Sequence, residues 1–504
     1  MGGTFTLFLW IKHQQGHAAV AFGDILLPNR WHHFQAAKGR SLIAKSLIQF
    51  ETGNAAAGFH NLRLGLTRYP ASREGRLLLA QLYADNQRPD LARELLVNGL
   101  THHPRDPAYA RIVFAYLLNV QKDAKVIELA DHIRQSPLMA EALGEMAGMA
   151  AATACYQRGY YDRAERYLAT TGLANNRDSR LLRARIQWER GYADLALHLV
   201  RDLAADFPDD EEVYALGSSF LRQSGRFAEA HRLSLIFQLR RPDSALPRID
   251  RLHAHVREGD FAALRQTTDE LLHHFAGDEK ILLALGDFAA TTGDAALARQ
   301  VSDRLPASSA AKPGAAVLTL EALITAKDYP AALTQADELT AGTPALDEPL
   351  LTLCHGLKAI AHYGSNDPGA GFLAYSRFVA GPALRSGNLL MISNLLHDAG
   401  ASKPARDLLI RTAADDPKNQ AVLSRLIELD LELNHLEALP ARLRQLVTMR
   451  KPSRELLARA AKVLGSDRWL FTAERHPALE AIRDHLKLNR PTASAQLNCD
   501  QLPL

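Results

Sequence analysis

Cysteine is scarce in this chain. Its 504 residues include only three, which are Cys155, Cys354 and Cys499. An odd number at wide spacings provides neither a disulfide framework nor the close pairs typical of zinc and redox sites. We expect the first two to be small apolar residues of the core. The scarcity therefore argues against a disulfide-stapled secreted fold and against a cysteine-based metal site.

An excess of charge of one sign is also missing. The chain has 59 Lys and Arg residues against 56 Asp and Glu residues, for a formal net charge of +3, and no long run of Lys or Arg. Proteins that bind nucleic acid usually concentrate basic residues on one face. The balance predicts that nucleic acid is not a partner.

Catalytic signatures are absent from the printed sequence. We find no GxxxxGK[ST] phosphate loop and no HExxH, GxSxG or CxxC motif. The 20 histidines include adjacent pairs, which point about 100° apart on a helix and seldom chelate one ion. His355 and His362 share a helical face with His397 one repeat later, but no carboxylate or cysteine spacing supports a metal site. We expect no enzyme, no cofactor, no metal and no small-molecule substrate.

Long hydrophobic runs are lacking as well. The apolar run at the N-terminus, Phe5 to Ile11, is followed directly by Lys12 and is far shorter than the roughly 20 apolar residues that cross a bilayer. It also lacks the flanks of a signal peptide. Two interpretations remain open: the end of a membrane anchor that begins upstream of Met1, or an apolar strap on the first repeat. The first predicts membrane association, and the second predicts a cytoplasmic protein.

What the chain does contain is a repeat. A similar short motif begins at Gly191, Gly225, Gly259 and Gly293, which are spaced 34 residues apart. The same register, with a few longer or shorter steps, defines twelve turns: Gly53, Gln87, Gln121, Gly159, Gly191, Gly225, Gly259, Gly293, Lys327, Ser365, Gly400 and Asn434. A sustained period of this length indicates a solenoid of stacked units.

Two other positions keep this register. A small or apolar residue stands five positions after each turn, and a proline often stands seventeen positions after it. A glycine can take positive φ and end a first helix, whereas a proline rarely continues a second one. The unit is therefore predicted to be a helical hairpin whose small residue lets two helices approach closely.

A 34-residue helical hairpin with this Gly, Ala and Pro register resembles the tetratricopeptide repeat (TPR) over roughly residues 31 to 450. The resemblance implies an all-α, right-handed superhelical solenoid of about twelve helix-turn-helix repeats. It also implies that the first helix of each repeat lines a concave groove, in which proteins of this family bind peptide segments or helices of other proteins.

The remaining segments complete the predicted organisation. Residues 1–30 form the apolar N-terminal segment and lead-in, and residues 31–452 form the repeat array. Residues 453–488 are predicted to be capping helices, because a solenoid must cover its last apolar face. Residues 489–504 are predicted to be a flexible tail, and the segment 305–316, rich in Pro, Ser and Ala, is a candidate joint within the array.

Counting back from the turns places a set of aromatic, guanidinium and amide side chains on the predicted groove. Trp and Arg are enriched among residues that dominate binding energy. The candidate partner-binding residues are Arg111, Asn119, Tyr156, Arg185, Trp188, Arg222 and Arg257. The alternative for Trp188 is a core role between its own hairpin and the next. The sequence thus predicts a non-catalytic scaffold that binds a protein or peptide segment, and the alternative is a regulatory receptor whose ligand changes the curvature of the solenoid.

Overall fold

The computed structural model describes residues 31–170, 172–342, 346–382, 384–469 and 472–488. These ranges contain 26 α-helices, one short 3-10 helix and no strand. The chain divides into two compact units, Met1–Ser179 and Arg180–Leu504. The first eight helices are α1 (Trp31–Glu51), α2 (Ala55–Arg68), α3 (Arg73–Asp85), α4 (Pro89–Gly99), α5 (Pro107–Asn119), α6 (Asp123–Gln135), α7 (Pro137–Gln157) and α8 (Tyr161–Leu168).

The division between the units falls in the first turn of the next helix, α9. The helices from this point are α9 (Arg177–Glu189), α10 (Ala193–Asp206), α11 (Glu211–Gln223), α12 (Phe227–Arg240), α13 (Leu246–Glu258), α14 (Phe261–His274), α15 (Glu279–Thr292), α16 (Ala295–Arg304), α17 (Lys312–Thr325), α18 (Tyr329–Ala341), α19 (Glu348–Gly364), α20 (Pro368–Ala380), α21 (Ser386–Asp398), α22 (Ser402–Asp415), α23 (Gln420–Glu432), α24 (Leu439–Val447), α25 (Arg454–Leu464) and α26 (Arg475–Leu488).

Positive φ angles confirm the predicted register of the turns. Eleven of the twelve predicted turn residues adopt a left-handed backbone, including the non-glycines Gln87, Gln121 and Lys327. The exception is Ser365, where the next residue, Asn366, has the positive φ of 64°. Asparagine tolerates this conformation better than serine does. The prediction for this hairpin was wrong by one residue, and the buried small residue shifts with it from Ala370 to Gly371.

The ends of the helices follow from local chemistry. Aspartates at the start of several helices accept hydrogen bonds from N–H groups that have no partner inside the helix, as Asp278 does at α15 and Asp347 at α19. Prolines often stand seventeen residues after a turn. Those that the structure describes lie in loops between a second helix and the next first helix. Pro344 lies outside the described residues.

The small residues of the second helices are buried where helices cross. Ala92, Ala164, Ala196, Ala332 and Ala405 are each fully buried. In the second unit, one cluster of buried apolar side chains runs from α17 through α23, so each hairpin shares its core with the next. This continuity is how a stack of two-helix units obtains a core that no single unit could form.

The described part of the C-terminal segment contains two α-helices, α25 and α26, and the 3-10 helix Asp467–Trp469. Their apolar side chains join those of α24 in a cluster that includes Leu457, Trp469 and Ile482. The capping role of residues 453–488 stays a prediction, as does the joint at 305–316. That segment lies inside the second unit, where Leu305 is buried and its carbonyl accepts a hydrogen bond from Lys312 Nζ at 3.0 Å.

Among the described helices, none combines the length and apolar character that crossing a bilayer requires. The apolar run from Phe5 to Ile11 and the predicted tail 489–504 both lie outside the described residues.

Candidate partner-binding groove

The candidate groove is the surface formed, within each unit, by the first helices of successive hairpins. In the second unit the first helices α15, α17, α19 and α21 pack on one another in turn, whereas the second helices α16, α18, α20 and α22 make at most marginal contact with one another. From α15 to α22 the first helices therefore form the more tightly packed side of the array. Between α9, α11 and α13 the first helices are connected through long side chains.

Trp188 is the main aromatic residue of this connection. Its ring stacks on Phe220 of α11, with centroids 4.2 Å apart and planes within 4°. Its Nε1 donates a hydrogen bond to Gln223 Oε1 at 3.2 Å. The ring is half-buried and packs against the core cluster of α9 to α12. Trp188 thus contributes to the junction of two hairpins while part of its surface stays accessible.

The predicted groove arginines of α9, α11 and α13 contact the neighbouring helices. Arg185 Nη2 lies 2.9 Å from Glu212 Oε1, and Arg222 Nη1 lies 3.2 Å from Asp250 Oδ2. The Arg257 guanidinium lies over the ring of Phe227 at 4.1 Å from its centroid. Arg257 is exposed and, among the described residues, makes no ion pair with a carboxylate. It is therefore the arginine of this group with the most capacity to bind an added anion.

The other three predicted residues belong to the first unit. Arg111 is exposed on α5 and forms no hydrogen bond or ion pair within the described part of the chain. Asn119 is the exposed last residue of the same helix. Tyr156 is half-buried near the end of α7, with its ring 6.2 Å from that of Tyr161. The predicted site residues are thus shared between the two units.

Asp250 is a groove residue that the sequence reasoning missed. Its Oδ2 accepts hydrogen bonds from Tyr214 Oη at 3.0 Å and from Ser218 Oγ at 3.1 Å, in addition to the contact with Arg222. Burial, reinforced by the Asp250 charge, raises the pKa of Tyr214 above its ordinary value. This network connects α11 to α13, and the 34-residue register carried no signal for it because Asp250 has no counterpart in other repeats.

Two further groove carboxylates, Asp287 and Glu321, could have been found from the register. They stand six residues before the turns Gly293 and Lys327, as Arg185 stands six residues before Gly191. Burial and then the charge of Asp287 raise the pKa of Glu321. Neither side chain forms a hydrogen bond or an ion pair among the described residues. The position six residues before the turn therefore changes from Arg185 on α9 to carboxylates on α15 and α17.

Glu321→Gln is expected to raise the stability of the protein at neutral pH. The raised pKa means that the folded state binds a proton more readily than the unfolded state does, so stability from this group is present at low pH and is lost as pH rises through the folded pKa. The gain should be largest at about pH 7–8 and vanish near about pH 4. Thermal unfolding across this range measures it.

Glu338→Gln on the exposed side of α18 provides a matched control, because no comparable burial acts there. A gain for Glu321→Gln that does not depend on pH, or an equal gain in the control, would contradict the assignment.

One ion pair joins the end of α9 to a residue that is distant in the sequence. Lys451 Nζ, in the loop after α24, lies 3.2 Å from Glu189 Oε1 at the end of α9, and both residues belong to the second unit. Burial lowers the pKa of Lys451, while Glu189 acts in the opposite direction. A contact between residues 262 positions apart cannot be inferred from a 34-residue period.

Metal-ligating groups and cysteine thiols are the other candidate chemical groups of the described residues. Within the described ranges, no group of three or more His, Cys, Asp or Glu residues is arranged to hold a metal ion. Burial raises the pKa of Cys155 to about 11 and that of Cys354 to about 12. Both thiols are buried and free, as predicted, and protonated thiols of this kind are poor nucleophiles. Cys499 lies outside the described residues.

Together, the hairpin register, the shared core and the surface of first helices define an all-α helical-repeat protein with a TPR-like fold. No family profile and no curated protein matches the chain. Among solved structures, one of Naa15/Naa10 bound to HypK-THB is similar over 99% of this chain and 80% of that chain, with 14% sequence identity and a TM-score of 0.30.

Proposed function

We propose that this protein is a non-catalytic scaffold that binds a protein or peptide segment along its first helices, centred on α9, α11 and α13. The observation that supports this proposal is the row of half-exposed Trp and Arg side chains on these three helices. Such residues combine apolar area with directional hydrogen bonds, as binding hot spots do. The other candidate residues, Arg111, Asn119 and Tyr156, lie on first helices of the first unit, and we propose a partner-binding role for them there.

The charges of the groove indicate the chemistry of the partner. Arg185 and Arg222 already face Glu212 and Asp250, so a ligand carboxylate would have to compete with these groups. Arg257 has no such competitor in the described part of the chain. We therefore propose a partner segment with an acidic group over Arg257 and an apolar group over Trp188. Basic groups further along the segment would suit Asp287 and Glu321.

Arg257→Glu is expected to weaken binding of the partner segment by about tenfold or more, because it replaces an attractive cation with a repulsive anion. Arg299→Glu, an equally exposed reversal on the second helix α16, is the matched control. The partner would first be captured in cells by a photo-crosslinking amino acid at position 257 or 299 of the full chain. Titration of the identified segment then measures the affinity of each variant.

Trp188→Phe gives a second measurement, since it retains ring stacking on Phe220 but removes the hydrogen bond to Gln223. Weaker binding with an unchanged melting temperature would support a groove role for Trp188. Equal crosslinking at positions 257 and 299, with unchanged affinity in both Arg257→Glu and Trp188→Phe, would overturn the proposal.

The alternative function is a regulatory receptor whose ligand changes the curvature of the repeat array. The contact between Lys451 and Glu189 favours this candidate, because a change in spacing between α9 and the loop after α24 would break it. Hydrogen–deuterium exchange of residues 448–453 tests the idea. Unchanged exchange upon binding of the partner segment would exclude ligand-driven opening at this contact.

A further inference from the structure

Helix α12 exposes apolar side chains on the side opposite to its packed face. Its packed face consists of the buried residues Ala230, Ser234 and Phe237. The residues on the opposite side follow spacings of three and four, which place them on one face of a helix. They are Arg232, Leu235, Ile236, Leu239 and Arg240, here called the α12 stripe. Ile236 is 55% exposed and Leu239 is 84% exposed, so this apolar face has no partner among the described residues.

A cavity opens directly beside the stripe. It has a volume of about 260 Å³ and lies between α10, α11 and α12, with Ile236 at its edge. Leu197 and Val200 of α10 form one wall. Gly217 of α11 also lines the cavity, and a Cβ at this position would lie 3.0 Å from Val200 Cγ1. The cavity is mainly apolar, and its size suits a small number of apolar side chains rather than a polar cofactor.

The charge around this cavity is predominantly positive. Arg201 and Arg232 line it, and Arg240 lies on the same stripe. All three are exposed and form no hydrogen bond or ion pair with any described residue. Glu229, which also lines the cavity, is held by Arg226 through two hydrogen bonds of 2.6 and 2.8 Å. The unpaired guanidinium groups therefore remain available to an acidic ligand.

We infer that the α12 stripe and its cavity form a second docking surface, which binds an acidic amphipathic helix of a partner protein. Leucine-type side chains of that helix enter the cavity and cover Leu235, Ile236 and Leu239, and its carboxylates pair with Arg201 and Arg232. The exposed part of this surface lies on the second helices α10 and α12, the first helix α11 contributes to the cavity alone, and the inference does not depend on the groove proposed above. A bilayer would also meet arginines and apolar side chains, but it would not fill a cavity between helices.

The test uses the full chain and a fluorescein-labelled, helix-forming peptide of about 18 residues. The peptide carries leucines at spacings of three and four, flanked by glutamates, and a second peptide carries lysines in place of the glutamates. Fluorescence anisotropy is expected to show binding of the acidic peptide and at least about tenfold weaker binding of the basic one.

Three variants locate the binding. Leu239→Glu and Arg232→Glu should each weaken the acidic peptide by about tenfold or more, and both should fold because these side chains are exposed. Ala204→Phe should weaken it by filling the cavity that Ala204 lines. Phe261→Glu on α14, where the phenylalanine is 65% exposed, is the matched control and should bind as the parent does.

Several outcomes would overturn the inference. They are absence of binding at millimolar protein, equal binding of both peptides, and equal affinity in Leu239→Glu and the parent. Loss of binding in Arg257→Glu but not in Leu239→Glu would assign the peptide to the groove instead. Two further results, each abolished by Leu239→Glu, would assign the surface to another occupant: sedimentation with phosphatidylserine vesicles, or self-association in analytical ultracentrifugation.

Discussion

Asp430→Ala is expected to lower the free energy of unfolding of the second unit by about 3–5 kcal/mol. Asp430 lies on α23 and is fully buried. One carboxylate oxygen accepts a hydrogen bond from Arg406 Nε at 2.7 Å, and the other contacts Arg442 Nη1. Because Arg406 and Arg442 lie on α22 and α24, the single carboxylate connects three successive helices. Alanine would leave two largely buried guanidinium groups without a counter-charge.

Glu428→Ala on the same helix is the matched control. Glu428 pairs with Arg425 one turn away, where both side chains keep contact with solvent, and such an ion pair contributes about 1 kcal/mol or less. Urea unfolding monitored by circular dichroism compares the two variants. A triple variant, Arg406→Met, Asp430→Leu and Arg442→Met, should recover much of the loss, since apolar residues can replace a buried ionic group. Equal stability of Asp430→Ala and Glu428→Ala would show that the three-helix connection is dispensable.

Gly99→Ala is expected to destabilise the first unit by about 3 kcal/mol or more. An added Cβ at the end of α4 would overlap the hydroxyl of Tyr109 and lie 2.5 Å from Arg76 Cδ. Tyr109 is fully buried, and its hydroxyl donates to the Leu96 carbonyl at 2.8 Å. Arg76, also buried, donates to the carbonyls of Leu95 and Pro70. The methyl group would therefore break buried hydrogen bonds as well as the packing.

Gly144→Ala in α7 provides a control of the opposite sign. No atom lies within 4 Å of a Cβ at this position, so alanine should stabilise the helix by about 1 kcal/mol through its higher helix propensity. Thermal melts of the two variants measure the contrast. A finding that both glycine substitutions stabilise would contradict the tight packing at Gly99.

The positions of the hairpins could be predicted from the sequence, because they depend on local chemistry that recurs in every unit. Gly191, Gly225 and Gly259 mark turns since glycine takes positive φ at no steric cost. Ala196 and Ala332 mark helix crossings because only a small side chain fits there. The same reasoning was wrong by one residue at Ser365. The residue with positive φ in that turn is its neighbour Asn366.

The candidate groove could be predicted only in part. The register indicated that Arg185, Trp188 and Arg222 lie on first helices, because helical periodicity determines which residues share a face. It did not indicate their partners, since Phe220, Glu212 and Asp250 belong to other helices whose spacing is set by packing. The first unit's residues Arg111, Asn119 and Tyr156 likewise lie on first helices, and no partner for them follows from the period.

The sequence by itself thus determined an all-α array, its turns and its buried small residues, since each depends on contacts within one hairpin or with its neighbour. Only the tertiary structure decided which polar residues are buried and which apolar residues are exposed. Asp430 is a charged residue of a type that usually lies on the surface, yet packing of three helices encloses it. Leu235, Ile236 and Leu239 are apolar residues of the kind that usually forms a core, yet they are exposed. The physical reason is that periodicity identifies the faces of a helix, whereas the neighbouring helices decide which face they cover.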